Sequence, residues 1–217
     1  ITFDRLFDMY SICHGLEGLH LDGLHCYDGI RFLLSESERA DQVRAINAQV
    51  QEIKQRIEAS GMTCRKVVLG GTPSFCFHAV MSEDYLSPGS AFLFDWGSKR
   101  KYPYLRQTYA ALLVSRVISR PSANTFTLDL GYKAIASDPT DQRGKILNLT
   151  KARPLFQNEE HWVWELPDEA LDEMPLVGDL MYVVPTHICP TSALYKEVFI
   201  IENKKIAASW PVTARDR

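Results

Sequence analysis

Hydrophobic and polar positions divide the chain into a first part with strand and helix patterns and a second part with strand patterns alone. Residues 19–27 alternate apolar and polar side chains, which predicts a strand that ends at the Asp28–Gly29 turn. Apolar side chains then recur at helical spacing over residues 35–60, and Gly61 follows directly. The apolar run 66–69 predicts a short buried strand. Strand, helix and strand in this order predict a βαβ unit with parallel strands.

The pattern changes after about Pro88, where strand-type runs alternate with turn residues and no further strong helix is predicted. Such spacing is typical of a mostly antiparallel sandwich or barrel. We therefore expect an α/β region over residues 1–92 and an all-β region over residues 93–217. The predicted strands are residues 108–119, 125–135, 145–149, 161–166, 179–185, 197–201 and 206–212, with a hairpin turn at Asn203–Lys204.

Composition and charge narrow the class of protein. The 217 residues are 46% hydrophobic and 24% charged, which is typical of a folded globular chain. A net charge of −3 gives no electrostatic reason to expect a nucleic-acid partner. No apolar run approaches the roughly 18 residues that a membrane span needs, and no secretion signal is visible. The five cysteines are odd in number, scattered and never spaced as C-x-x-C, so we expect a cytoplasmic, reducing environment.

Two short segments carry candidate chemistry, and the first is PTHICPT, residues 185–191. Its prolines favour an extended chain, in which alternate side chains point the same way, so His187 and Cys189 are expected to project from one face. Imidazole nitrogen and thiolate sulfur are ligands that zinc prefers. A lone His-x-Cys is more often an ordinary strand segment beside a buried thiol, and the residues alone leave both interpretations open.

The second segment is Gly70–Gly71–Thr72, which follows the predicted buried strand. Glycines there let backbone N–H groups approach an anion, and the threonine hydroxyl adds a donor. The segment is neither a Walker loop nor G-x-G-x-x-G, so a tight strand exit is the alternative interpretation. Residues 87–90, SPGS, form another small-residue turn at the joint between the two regions.

The residues and the order of several short segments resemble those of one enzyme family. These segments are HCYDG (25–29), GGTPS (70–74), SPGSAFLFD (87–95), LDLGYKAIASD (128–138), EEH (159–161), PTHICPT (185–191) and ARDR (214–217). Together they resemble the D-threonine aldolase and D-serine dehydratase-like family, pyridoxal-phosphate enzymes of the alanine-racemase fold. The resemblance covers essentially the whole chain. It implies that residues 1–92 are the last strands of a (β/α)8 barrel and that residues 93–217 are the β domain that carries the metal pair.

The resemblance also implies roles for particular residues. The implied cofactor-binding residues are Tyr27, Gly70, Gly71, Thr72, Gly89 and Ser90, and the implied metal ligands are His187 and Cys189. The thiol favours zinc, with manganese or magnesium as alternatives. Serine stands at position 87, where alanine racemases carry an arginine, which implies a neutral partner for the pyridine nitrogen. Glu160 and His161 match a segment near the site mouth or form an exposed polar turn, and Lys133 is expected to be structural or near a dimer contact.

The implied activity is that of a metal-assisted lyase acting on D-β-hydroxy amino acids, by D-serine dehydration or by aldol cleavage of the D-threonine type. An amino-acid racemase, or a non-catalytic fragment that binds ligand, is the alternative. The Schiff-base lysine of the family is expected upstream of Ile1, so the chain is expected to be the C-terminal part of a longer enzyme. Its expected partners are a small D-amino acid, the missing N-terminal part and a second subunit of a homodimer.

Overall fold

The computed structural model describes residues 2–29, 35–81, 84–138 and 142–215. The last two residues of the ARDR segment lie outside the described residues. The chain divides into two compact units, Ile1–Ala91 and Phe92–Arg217, referred to below as unit 1 and unit 2. No helix within the described ranges is long and apolar enough to cross a membrane.

Unit 1 contains a three-stranded parallel sheet in the order β1–β2–β3. Its elements are α1 (Phe3–His14), β1 (Gly23–Cys26), α2 (Glu36–Ala59), β2 (Lys66–Leu69), α3 (Phe75–His78) and β3 (Tyr85–Leu86). Residues Gly23–Cys26 pair in parallel with Lys66–Leu69, which confirms the predicted βαβ unit. β1 is shorter than the predicted run 19–27 because its only described partner strand offers four residues.

Helix α2 begins at Glu36, one residue into the run 35–60 that the apolar spacing predicts. The Ser35 side chain accepts the Glu38 N–H, and the Glu38 carboxylate accepts the Ser35 N–H at 2.8 Å, which together form a capping box. The apolar stripe of α2 packs on the sheet, as its helical spacing predicts. Its buried members are Val43, Val50, Ile53 and Ile57, while Ile46 is half-buried.

Unit 2 is built around a six-stranded antiparallel sheet in the order β6–β9–β4–β5–β8–β7. Its elements are α4 (Trp96–Lys101), β4 (Leu113–Ser119), β5 (Thr125–Leu128), β6 (Gly144–Ile146), β7 (Arg153–Gln157), β8 (Trp162–Glu165), β9 (Leu180–Pro185), α5 (Ile188–Ser192), β10 (Glu197–Glu202) and β11 (Lys205–Pro211). The last two strands form a separate hairpin. At its turn, Asn203 and Lys204 both have positive φ, at 50° and 64°, which fits the hairpin turn predicted there.

The core of unit 2 follows from strand alternation. Trp162 and Trp164 of β8 are buried, and their rings lie 4.7 Å apart between centroids, while the intervening Val163 is only half-buried. They pack with Phe126 and Leu128 of the neighbouring β5. Alternate residues of a strand face opposite sides of the sheet, so one face carries this core.

Three differences from the sequence expectation have local causes. β7 was not predicted because Pro154 interrupts its pattern; it is an edge strand, where a residue without an N–H is tolerated. The run 125–135 ends as a strand at Leu128, because the chain then turns at Gly131, whose carbonyl accepts the Ala134 N–H. Two short helices, α4 and α5, occur where only strands were expected.

Candidate functional site

The turn after β2 requires its glycines. Gly70 has φ +74°, a conformation that L side chains rarely adopt, and a Cβ there would lie 2.8 Å from Cδ2 of His78. A Cβ on Gly71 would lie 2.6 Å from Cε2 of Tyr27. The backbone therefore passes closely between two aromatic rings, which any larger residue would displace.

The N–H groups of these two glycines are already used within unit 1. Gly70 N–H donates to the Cys26 carbonyl at 2.9 Å, and Gly71 N–H donates to Ser74 Oγ at 3.2 Å. The glycines therefore contribute conformation and close approach. Donors to an anion would come from neighbouring groups of the turn.

Thr72 joins this turn to the second small-residue turn. The Ser90 hydroxyl donates to Thr72 Oγ1 at 3.0 Å, and the Ala91 N–H donates to the same oxygen at 3.2 Å. Because that oxygen accepts both bonds, the hydrogen of the Thr72 hydroxyl stays available for donation. The Ser87 hydroxyl also donates to the Gly70 carbonyl, at 2.9 Å. Residues 70–74 and 87–91 are thus joined by hydrogen bonds, and we name this pair of segments the double turn.

Tyr27 lies against the double turn with its ring exposed. It is 69% exposed, so it does not belong to the core of unit 1. Its ring covers Gly71 at contact distance. An exposed aromatic ring beside a polar turn can stack on a planar ligand.

A neighbouring polar contact links position 87 to β1. Nε2 of His25 lies 3.0 Å from Ser87 Oγ. The serine that stands in place of the racemase arginine therefore has an imidazole partner, and it binds the Gly70 carbonyl through the same hydroxyl. This contact was missed from the sequence, because His25 and Ser87 are 62 residues apart.

Unit 1 also holds a cavity of about 490 Å³ beside β1. It lies among α1, β1 and α2, with apolar walls that include Leu6, Leu24 and Val50, and it reaches Tyr27 and Asp28. None of its lining residues belongs to the double turn. Its volume is within the range of small-molecule sites.

The segment that carries His187 and Cys189 is not extended throughout, and the expectation that alternation puts both side chains on one face is wrong. His187 is extended, with φ −134° and ψ 104°, but Ile188–Ser192 is the helix α5. The Ile188 N–H donates to Asp95 Oδ2 at 3.0 Å, and Thr191 Oγ1 donates to the His187 carbonyl at 2.7 Å. Proline is tolerated in a first helical turn, where N–H groups lack intrahelical partners.

His187 and Cys189 nevertheless both lie near Asp138 in unit 2. His187 Nδ1 lies 2.7 Å from Asp138 Oδ2, which leaves Nε2 as the free ring nitrogen. Partial burial raises the pKa of the Cys189 thiol, and the negative charges of Asp95 and Asp138 raise it further. The thiol is therefore protonated at neutral pH unless a cation offsets these charges.

The donor set is sparse. The described part of the chain contains no group of three or more His, Cys, Asp or Glu side chains able to hold a metal ion. The implied metal pair, His187 and Cys189, therefore stays a prediction from the family resemblance.

The EEH segment pairs with Lys133. The Lys133 ammonium lies 2.6 Å from Glu159 Oε2 and 3.0 Å from Glu160 Oε1, and all three side chains are exposed. These carboxylates raise the pKa of Lys133 above its usual value. A lysine held charged in this way fits the expected structural role.

One buried feature was not anticipated from the sequence. His78, in α3 after the double turn, is fully buried and contacts Asp28 and Asn47. A single histidine in a short apolar segment gives no signal of such a contact, because its partners lie 50 and 31 residues away.

Comparison with known proteins supports the family resemblance. A family model described as "Putative serine dehydratase domain" matches residues 110–201. A D-threonine aldolase of Arthrobacter sp is 24% identical over 207 residues, which are 92% of this chain and 53% of that protein. An uncharacterized protein of Mycobacterium tuberculosis is 31% identical over 113 residues, covering 51% of this chain and 84% of that protein.

Solved structures share the fold. The crystal structure of D-threonine aldolase from Filomicrobium marinum has a TM-score of 0.83 at 24% identity and covers 98% of this chain and 57% of its own. D-threo-3-hydroxyaspartate dehydratase from Delftia sp. HT23 has a TM-score of 0.72 at 17% identity, over 89% of this chain and 56% of its own. The chain thus spans a little over half the length of these relatives, and it belongs to the D-threonine aldolase and D-serine dehydratase-like family of alanine-racemase-fold enzymes.

Proposed function

We propose that this chain is part of a pyridoxal-phosphate-dependent, metal-assisted lyase that acts on D-β-hydroxy amino acids. The observation that carries the proposal is the joining of the two turns through Thr72 Oγ1, which brings the polar groups of both turns together. The relatives named D-threonine aldolase and 3-hydroxy-D-aspartate aldolase, the latter 25% identical to this chain, support the substrate class.

The residues of the double turn fit a phosphoester. The free hydroxyl hydrogen of Thr72 and the exposed Gly89 backbone offer donors, and the Ser90 hydroxyl is part of the same cluster. Tyr27 presents its ring where it would stack on a pyridine. When bound, pyridoxal phosphate supplies an electron sink for the substrate Cα. Thr72, Gly89 and Ser90 would hold the phosphate, and Tyr27 would orient the ring.

The His187 and Cys189 neighbourhood fits a divalent cation, with zinc favoured by the thiol and manganese or magnesium as alternatives. Such a cation supplies Lewis-acid activation of a substrate hydroxyl. Asp138 accepts the Nδ1 proton and thereby keeps His187 Nε2 directed as a ligand.

Solved structures of D-threo-3-hydroxyaspartate dehydratase variants, 18% and 19% identical to this chain, support the pair. They include a histidine-to-alanine variant and, two positions further along that chain, a cysteine-to-alanine variant in the metal-free form. The His-x-Cys spacing is the same here, which favours dehydration with zinc over aldol cleavage.

A second candidate is ligand binding without turnover. Unit 1 has two lysines, Lys54 and Lys66, and Lys66 forms an ion pair with Asp22 at 2.5 Å. The family resemblance assigns the Schiff-base role to neither lysine, which favours this candidate for the chain taken by itself. The homodimer expected from the family resemblance and the cytoplasmic location expected from the cysteine pattern belong to the same proposal.

The test uses the full-length protein that carries this chain. Addition of pyridoxal phosphate should produce an absorbance band near about 420 nm that borohydride removes, because an aldimine forms and is reduced. Product assays then separate the activities: pyruvate and ammonia from D-serine indicate dehydration, glycine and acetaldehyde from D-threonine indicate aldol cleavage, and L-alanine from D-alanine indicates a racemase. Cofactor binding without any product would favour the second candidate.

A further inference from the structure

The imidazole of His78 is buried beneath the double turn and bridges two elements of unit 1. Its Nε2 lies 2.9 Å from Asp28 Oδ2, just after β1, and its Nδ1 lies 3.2 Å from Asn47 Oδ1 in α2. The side chains of His78 and Asp28 are 0% and 1% exposed. No other imidazole among the described residues is fully buried.

Hydrogen bonds hold this imidazole at both of its ring nitrogens. Nδ2 of Asn47 donates to the sulfur of Met81 at 3.6 Å, which directs the amide oxygen toward His78. Both ring nitrogens of His78 therefore face oxygen acceptors. His78 and Asp28 therefore form a buried pair with the geometry of an ion pair, held in place by hydrogen bonds at both ends of the ring.

A buried ion pair is a weak contributor to stability, because desolvation of both charges offsets their attraction. Two well-packed apolar residues could replace it with little loss of stability. Its position next to the double turn indicates a different role, in the geometry of that turn.

His78 touches the turn at the position where conformation is most restricted. Its Cδ2 lies where a Cβ of Gly70 would be, and its N–H donates to the Ser74 carbonyl at 3.2 Å. Ser74 in turn holds the Gly71 N–H through its hydroxyl. The other end of the ion pair is Asp28, which directly follows Tyr27, whose ring covers Gly71. The pair therefore supports the turn and the aromatic ring from two sides.

We propose that His78, through its ion pair with Asp28, is a positioning residue that makes the double turn selective for a phosphorylated cofactor over its unphosphorylated form. The inference rests on the proposed function, since it assigns the phosphate to this turn. His78 does not touch the phosphate in this account. It fixes Gly70 and Ser74, and through them the orientation of the Thr72 hydroxyl.

The test compares the affinities of the full-length protein for pyridoxal phosphate and for pyridoxal, which lacks the phosphate. In His78→Leu, the affinity for pyridoxal phosphate should fall by about tenfold or more, as for outer residues that orient a ligand site. The affinity for pyridoxal should hardly change. In His78→Gln, which keeps a donor toward Asp28, much of the preference should return.

Asp28→Asn is the second variant, because it preserves size and removes only the charge, and it should lower the preference even if His78→Leu does not fold. Ile57→Val is the matched control: Ile57 is fully buried in the same unit, outside the double turn and its supporting contacts, so this variant tests general loosening of the core. It should keep the wild-type preference even if its melting temperature falls.

The outcomes separate the two proposals. A wild-type protein that binds pyridoxal and pyridoxal phosphate equally would overturn both. A wild-type preference for the phosphorylated form that His78→Leu and Asp28→Asn retain would overturn the positioning role alone. Loss of preference in Ile57→Val as well would show that general stability, and not this ion pair, controls the turn.

Discussion

The candidate site residues of unit 1 and unit 2 differ in how far they are buried. In unit 1 the double turn lies on a short parallel sheet and is supported by buried polar groups, with His78 and Asp28 almost wholly excluded from solvent. In unit 2 the His187 and Asp138 side chains are exposed, and they follow a six-stranded sheet with a large apolar core. Buried polar contacts support the double turn in unit 1. In unit 2, a packed sheet supports the exposed segment that carries His187.

The packing of the two units differs accordingly. Unit 2 buries two tryptophans and Phe126 in its core cluster, while the core of unit 1 is a smaller set of aliphatic residues with Tyr10. In the described residues, β1 and β3 each have one strand neighbour and leave the sheet with two edges. Because its core contains fewer buried apolar side chains, we expect unit 1 to be the less stable of the two on its own.

The largest expected effect is on the core of unit 2. Trp164→Ala removes a fully buried ring and should lower the free energy of unfolding by about 3–5 kcal/mol. Chemical denaturation followed by tryptophan fluorescence and circular dichroism measures it. The matched change in unit 1 is Leu69→Ala, which should destabilise by about 2–5 kcal/mol. If Trp164→Ala left the denaturation curve unchanged, the contrast in packing would be wrong.

The next effect concerns the glycines of the double turn. Gly71→Ala places a Cβ 2.6 Å from the ring of Tyr27, so the ring or the backbone must move. We expect the affinity for pyridoxal phosphate to fall about tenfold or more, as measured by cofactor titration. Gly15→Ala is the control, because Gly15 lies in unit 1 outside the double turn, a Cβ there meets no atom closer than 3.6 Å, and its φ is −84°. Equal losses in the two variants would argue against the tight fit of Tyr27 on Gly71.

A smaller effect is expected at the imidazole of unit 2. Asp138→Asn weakens the bond that orients His187 and should reduce zinc affinity about tenfold, whereas His187→Ala should abolish zinc binding. Zinc titration against a chromophoric chelator measures both. Asp168→Ala, which changes another acidic residue of unit 2, is the charge control. Equal zinc content in His187→Ala and the wild type would remove the metal site.

Sequence patterns predicted the elements that local chemistry determines. The capping box at Ser35 and the spacing of Val43, Val50 and Ile57 define α2 without help from distant residues. The turn at Asn203–Lys204 was also predicted from local sequence. Asn203 is a residue type that tolerates positive φ, and both turn residues have positive φ in the structure.

Long-range contacts account for the features that the sequence did not show. α5 forms because Asp95, 93 residues away in sequence, accepts the Ile188 N–H, and no local pattern contains that information. His78 looked like an isolated residue because Asp28 and Asn47 approach it only through the βαβ crossover. At the site, the motifs indicated which residues matter, while the contacts that support them required the fold.

The smallest expected effect compares an exposed ion pair with the buried pair of unit 1. The Lys133 ammonium lowers the pKa of Glu159 below its usual value through a direct hydrogen bond. A carboxylate with a lowered folded-state pKa contributes stability above its unfolded pKa, and this contribution is lost as pH falls through the folded value. Glu159→Gln should therefore slightly lower the melting temperature at pH 7 and flatten its decline in acid.

The effect should be small because both side chains are more than half exposed, and solvent and salt screen such a pair. Melting temperatures recorded from pH 7 down to pH 3, in low and high salt, measure it. Glu202→Gln, which changes another exposed carboxylate of unit 2, is the control. Its melting temperature should decline in acid as that of the wild type does. A change in Glu159→Gln that persists in high salt would mean that this pair is shielded from solvent in solution, and the contrast with the buried His78–Asp28 pair would narrow.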